Sequence, residues 1–312
     1  MFARGPVRAR RVAAAAVTLA VSFALLAGAG RAGASDGGDD SGRLVDVGGG
    51  RRVLLDCRGS GSPTVVLVSG TGGASDEWTH VADAAGSGAG LKPDPSAVLT
   101  TLAPFTRVCA YDRPGTTRLD GTPNRSTPVH QPTSAAAGAE DLRAVLAAAG
   151  ERPPYVLVGA SWGAMVASLF ARTEPELTAG IVTVDGASPF LKDTLTPAQW
   201  SAWMDRIRAM DQGQGLEVPD YPAAVREVRA APAPPPDLPA AVLTSDHPWD
   251  LGLGGRSTWP AWLAAQQRLA GDLHARHVTD TDSGHGIAVE QPRRVADAVR
   301  DVGERARAGQ ER

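Results

Sequence analysis

The stretch Tyr155-Val156-Leu157-Val158-Gly159-Ala160-Ser161-Trp162-Gly163 decides the reading of this chain. Tyr155 to Val158 is a short apolar run bounded by turn residues, the pattern of a buried strand. A helix is expected directly after it, over Trp162 to Arg172, with no linker between. Ser161 therefore sits in a tight strand-to-helix turn, where a positive φ is forced on it. Gly159 and Gly163 complete a G-x-S-x-G pentapeptide, and side chains at those positions would collide with the neighbouring strand and helix. The helix start turns free N–H groups and the positive end of its dipole toward the serine, which favours negative charge there. A Gly-rich turn with an incidental serine has the same pentapeptide, so the strand and helix on either side carry the argument.

Working outward, Leu44 to Val47 and Arg52 to Asp56 flank Gly48-Gly49-Gly50 and suggest a β-hairpin. Thr64 to Val68 and Thr106 to Tyr111 read as buried strands, the first ending at Ser69-Gly70-Thr71-Gly72-Gly73 and the second at Asp112-Arg113-Pro114-Gly115. Gly115 to Thr133 is a long loop. Ser134 caps a helix that runs to Ala149 and stops at Gly150. Gly180 to Val184, Ala240 to Thr244 and His277 to Thr281 are further strands, with helices over Ser257 to Ala270 and Pro292 to Arg307. In the last helix Val295, Val299 and Val302 share one face. An opening hairpin followed by alternating strands and helices implies an α/β fold, a mostly parallel sheet with helices on both faces. The strandless segment from about 187 to 238, with helical pieces such as Pro197 to Met210, is the candidate for a small helical lid.

These segments, in this order, resemble the α/β-hydrolase family, and most of all its secreted bacterial lipase- and esterase-like members. The resemblance spans roughly Val45 to Gly303. It is carried by Gly159 to Gly163, Pro63 to Gly70, Arg107 to Gly115, and Gly284-His285 ahead of a Gln-Pro helix start. It implies an eight-stranded sheet and a Ser-acid-His triad in that chain order. Ser161 is then the nucleophile. His285, in Asp282-Ser283-Gly284-His285-Gly286 after the last strand, is its general base. His80, His130, His247, His274 and His277 are read as surface or structural residues. For the acid, Asp185 at the end of the strand Gly180 to Val184 is preferred, and Asp246 and Asp250 in the next loop are the alternatives. Asp280 and Asp282 belong to the strand and loop of the base itself. Two backbone amides are expected to bind the oxyanion, Trp162 after the nucleophile and Thr71 in the Gly-rich loop. Ser69 stands where many relatives carry His. The Asp112-Arg113 turn is expected to be structural.

The resemblance implies a serine hydrolase acting on a small-molecule carboxylic ester. Amidase, peptidase, lactonase and perhydrolase chemistry use the same constellation, and a non-catalytic binding protein can retain the fold. Trp200, Trp203, Trp249, Trp259 and Trp262 cluster where substrate would be covered; they suit an apolar acyl or aryl pocket, or equally the packing of a lid. In the family's strand order the second and fourth strands are neighbours. That brings Cys57 and Cys109, the only cysteines, within reach of a disulfide, the alternative being two buried thiols.

The remaining signals concern location and partners. Arg4, Arg8, Arg10 and Arg11 precede an apolar run from Val12 to about Ala29, then Ala32-Gly33-Ala34. This is the pattern of a cleaved signal peptide over residues 1–34 and of a secreted protein, against the alternative of a retained anchor. A polar, disordered mature terminus is expected over 35–44, followed by the hydrolase domain over 45–312. The 312 residues are 43% hydrophobic with a formal net charge of -3, which gives no electrostatic case for a nucleic-acid partner or an anionic membrane. No Cys/His cluster has metal-ligand spacing and no phosphate-cradling motif occurs, so no cofactor is implied.

Overall fold

The computed structural model describes residues 42–83, 90–210 and 215–310, all within one compact unit, Gly37–Arg312. The expected signal segment lies outside the described residues, as does most of the expected disordered terminus. In chain order the elements are β1 (Arg43–Gly48), β2 (Arg51–Arg58), β3 (Thr64–Val68), β4 (His80–Ala82), β5 (Leu91–Pro93), α1 (Val98–Leu102), β6 (Val108–Tyr111), α2 (Ala135–Ala149), β7 (Tyr155–Ala160), α3 (Gly163–Thr173) and β8 (Thr178–Val184). They continue with α4 (Leu191–Thr194), α5 (Pro197–Arg208), α6 (Tyr221–Ala230), β9 (Ala240–Leu243), α7 (Trp259–Asp272), β10 (Arg276–Val278), α8 (Ile287–Glu290) and α9 (Pro292–Gln310).

Eight strands form one sheet in the order β1-β2-β6-β3-β7-β8-β9-β10. The β1–β2 and β2–β6 pairings are antiparallel, and every pairing from β6 to β10 is parallel. Alternation along each central strand builds the two layers. Val66 and Val68 of β3, Leu157 of β7 and Val242 of β9 join Leu142, Val166 and Leu269 from α2, α3 and α7 in one core. Their neighbours Val65, Leu67, Val156, Val158 and Leu243 join Val98 and Leu99 of α1 and Val295, Val299 and Val302 of α9 in the other. Strands covered on both faces are apolar at every position, which is why these runs carry no polar alternation.

Several boundaries differ from expectation. β1 starts at Arg43, one residue before the expected hairpin strand, so Arg43, counted in the expected disordered terminus over 35–44, pairs with Leu55, and Leu44 pairs with Leu54 as the hairpin expectation implied. The last strand spans Arg276–Val278 rather than His277 to Thr281. Past it the backbone leaves the ladder, with Thr281 donating its hydroxyl to Thr244 O and Ser283 its N–H to Asp246. The β4–β5 ribbon, α1 and α6 have no counterpart in the sequence reading. Between β8 and β9 the chain is tied into the main core: Trp203, Met204 and Ile207 of α5 and Ala224, Val225 and Val228 of α6 are buried with α2 and α3 residues. Cys57 and Cys109 are register partners of β2 and β6 and form a disulfide. Among the described residues no helix is long and apolar enough to cross a membrane.

Candidate active site

Ser161 occupies the turn between β7 and α3 with φ 47°, a left-handed conformation that a non-glycine residue holds only when its surroundings fix it. The fixing bonds are visible. Ser161 donates its N–H to Val184 O at 3.2 Å, and its carbonyl accepts from Ala187 N–H at 2.8 Å. The flanking glycines are required by close approach. A Cβ on Gly159 would lie 2.6 Å from Ala164 Cα, and one on Gly163 would lie 2.2 Å from Val68 O.

Ser161 Oγ lies 3.1 Å from Nε2 of His285, and His285 Nδ1 lies 2.7 Å from Oδ2 of Asp185. A carboxylate only accepts, so the neutral imidazole carries its proton on Nδ1 and leaves Nε2 free to accept from the serine hydroxyl. Asp185 closes β8, also with a positive φ, of 40°. Its side chain is wholly buried, and Oδ1 accepts from Ser245 N–H and Trp262 Nε1–H, each at 3.0 Å. Those donors, with His285, satisfy a carboxylate that would be very costly to bury alone.

Asp246 and Asp250 face elsewhere. Asp246 Oδ1 accepts Ser283 N–H at 2.9 Å and thereby shapes the loop that carries His285. Glu290 holds the same loop from its other side through Ser283 Oγ and Gly284 N–H. Asp250 accepts from the Thr258 amide and hydroxyl ahead of α7. Of the tryptophans, Trp249 and Trp262 pack on the imidazole itself, with ring centroids 4.2 Å and 5.5 Å from that of His285. Trp200 and Trp203 meet edge to face, Trp203 packs on Tyr221, and Tyr221 in turn meets Trp162.

The Ser69–Gly73 loop lies against the serine: a Cβ on Gly70 would be 3.2 Å from Ser161 Cβ. The amides of Thr71 and Trp162 have no hydrogen-bond partner among the described residues. Unpartnered N–H donors of this kind are available to receive negative charge.

Three features of this neighbourhood were not found from the sequence. Arg113 and Glu217 form a buried ion pair, Nε to Oε1 2.6 Å, behind the Ser69–Gly73 loop. Burial opposes the guanidinium charge, but Glu217 outweighs it, and the pKa of Arg113 is raised. Tyr221 brings its hydroxyl to within 3.5 Å of Thr71 Oγ1. Glu77 lies against Gly73, its Oε2 inaccessible and without a hydrogen-bond partner. Burial pushes its carboxyl above the ordinary glutamate range, and the charge of Arg113 offsets only part of that. Arg113 stands in a recognisable Asp-Arg-Pro-Gly turn, but nothing near Glu217 marks it as the partner.

The chain belongs to the α/β-hydrolase fold family, whose model matches residues 63–228. Among solved structures it is similar to an esterase from Thermogutta terrifontis, 19% identical, covering 85% of this chain and 98% of that one with a TM-score of 0.55. It is also similar to Est816, described as an N-acyl homoserine lactone degrading enzyme, at 18% identity, covering 83% and 99% of the two chains with a TM-score of 0.54. A carboxylesterase from Bacillus subtilis matches at 15% identity over 84% of this chain and 90% of that one, with a TM-score of 0.52. At these identities the likeness establishes the shared fold. A curated protein of Hormonema carpetanum named "Probable transporter efuK" is 28% identical over 152 residues, 47% of this chain. The matched part is only 19% of that protein's length.

Proposed function

We propose that the protein is a serine hydrolase that cleaves small carboxylic esters through an acyl-enzyme. The observation that carries this reading is the continuous hydrogen-bonded line Ser161–His285–Asp185 ending beside the two unpartnered amides of Thr71 and Trp162. His285 Nε2 takes the hydroxyl proton as Ser161 Oγ attacks the ester carbonyl. Asp185 holds the imidazole in the productive tautomer and stabilises the imidazolium that forms. The carbonyl oxygen becomes an oxyanion and receives the Thr71 and Trp162 N–H groups. The imidazolium returns its proton to the departing alkoxide, giving free alcohol and an acyl group on Ser161. In the second half a water, deprotonated by His285, attacks the acyl carbonyl, releasing the carboxylic acid and restoring Ser161. The exposed third of the imidazole lets water reach it. The choice of ester is supported by the esterases among the structures of the same fold.

Secretion is part of the proposal. It is supported by the Arg-rich and apolar leader pattern of the sequence and by the Cys57–Cys109 disulfide, which persists in an oxidising compartment. The activity is tested by hydrolysis of a short p-nitrophenyl acyl ester by the parent and by Ser161→Ala. Turnover in the parent that vanishes in the variant is the expected result. Equal turnover in both, or none in a folded parent that also ignores a fluorophosphonate probe, refutes it.

A further inference from the structure

The Ser69–Gly73 loop is gripped from behind by a single buried ion pair. Arg113 is 3% exposed and Glu217 2%. The guanidinium binds Glu217 through Nε and Nη2, at 2.6 Å and 3.0 Å. Its other hydrogen bonds go to the loop: Nη1 donates to Ser69 O at 2.9 Å and Nη2 to Gly70 O at 2.6 Å. Glu217 Oε2 in turn accepts the N–H of Gly72 at 2.7 Å. The pair therefore engages peptide groups on both sides of Thr71.

Peptide geometry turns this grip into an aim. The Gly70 carbonyl and the Thr71 amide belong to one peptide group, which is not among the cis bonds of the chain. In a planar trans peptide C=O and N–H point in opposite directions. Seating Gly70 O on the guanidinium sends the Thr71 N–H away from it. A cation at the carbonyl end also polarises the peptide and strengthens the N–H as a donor. Glu217 is seated as closely as the arginine. Its N–H donates to Gly115 O at 2.8 Å, and a Cβ on Gly115 would come within 2.7 Å of Glu217 N.

We propose that Arg113 and Glu217 are the positioning pair of the oxyanion hole, orienting the Gly70–Thr71 peptide so that Thr71 N–H is preset toward the charge that develops on the acyl oxygen. This rests on the reading of Ser161 and Thr71 given above. It makes the segment between β8 and β9, which supplies Glu217, part of the catalytic apparatus. A buried ion pair is weak evidence of a stabilising role, because replacing both partners by apolar side chains of similar volume is often neutral. Orientation of a backbone donor is a role that such a replacement removes.

The test uses the full chain and p-nitrophenyl ester hydrolysis, with Tm recorded for every variant. Arg113→Met/Glu217→Leu is expected to stay folded and lose kcat by about 10²–10³-fold, with KM little changed, because the oxyanion exists only in the transition state. A boronic acid that forms a tetrahedral adduct on Ser161 loses affinity in parallel. Glu217→Gln, which keeps shape and an acceptor, is expected to lose about tenfold in kcat, and it carries the test should the double variant not fold. A purely structural pair lowers Tm and leaves kcat per folded molecule unchanged. That result in a parent of normal activity overturns the inference alone. A folded parent with neither turnover nor fluorophosphonate labelling overturns the serine-hydrolase reading, and the inference with it.

Discussion

His285 and Asp185 stand 100 residues apart in the chain and meet at 2.7 Å, the carboxylate wholly buried and the imidazole open to solvent over about a third of its side chain. A buried acid with an exposed base gives orientation on one side and access on the other. Asp185→Asn keeps an acceptor for Ser245 and Trp262 but turns an NH2 toward His285 Nδ1. The imidazole must then accept there and carry its proton on Nε2, where it can no longer take one from Ser161. Ester turnover is expected to fall by about 10⁴-fold in kcat, with the fold retained. Asp246→Asn and Asp250→Asn keep most of the turnover, since those side chains serve loops. An Asp246→Asn loss as large as that of Asp185→Asn would contradict the assignment.

The residues of this line were legible because the chain punctuates them. Ser161 and Asp185 are the first polar residues after the apolar runs of β7 and β8, whereas His285 comes seven residues after β10 and was placed by the family's chain order. The neighbours that tune them were not legible. Arg113 and Glu217 pair across 104 positions, and Glu217 stands alone in a segment with no periodic signal. α1 is five residues long with no side-chain cap, and the β4–β5 strands are three residues each, too short for periodicity to register. α6 was concealed by Pro222 at its start, although Asp220 caps it and its buried Ala224, Val225 and Val228 follow helical spacing. The disulfide partners became apparent only through strand order, because sequence alone does not say which strands are neighbours.

Glu77 makes stability depend on pH with a definite sign. Burial raises its pKa in the folded state above the ordinary glutamate value of 4.5, so the folded protein holds this proton more tightly than the unfolded chain. The stability linked to that proton is fully present below 4.5 and is lost as pH rises through the folded-state pKa. Glu77→Gln removes the buried charge while keeping the shape. Its Tm is expected to exceed that of the parent at pH 8, with the advantage shrinking to nothing as the pH is lowered toward 4. Thermal unfolding of both proteins across that range checks it, and an advantage that grows in acid refutes it.

The Cys57–Cys109 bond closes a loop with a sequence separation of 52 and joins two antiparallel neighbours near one edge of the sheet. In the chain-entropy treatment a loop of that size contributes about 4 kcal/mol through the unfolded state. Removing the bond as Cys57→Ala/Cys109→Ala is expected to lower Tm markedly and to leave kcat nearly unchanged below the transition, because neither sulfur approaches the site. A thiol titration of the unreduced, denatured protein should find no free thiol among these two. Two free thiols would exclude the bond.

Gly163 and Gly303 are both helical glycines, and alanine should act on them in opposite directions. At Gly163 an added Cβ would meet Val68 O at 2.2 Å and Ser69 O at 2.6 Å. Both are backbone atoms at the end of β3, so no side-chain rotation relieves the clash. Either the Ser161 turn or the start of the Ser69–Gly73 loop must move. Displacements of about 1 Å at a reacting centre cost on the order of 10²-fold in rate, so Gly163→Ala is expected to lose at least that in kcat and to unfold earlier. At Gly303, inside α9, an added Cβ meets nothing within 4 Å. There alanine only restricts the unfolded chain and improves helix propensity, a gain of about 0.5–1 kcal/mol. Tm should rise by about 2 °C with turnover unchanged. A Gly163→Ala enzyme with parental kcat would mean that β3 and the nucleophile turn are packed less tightly than these distances require, and the geometry argued for the oxyanion hole would fall with it.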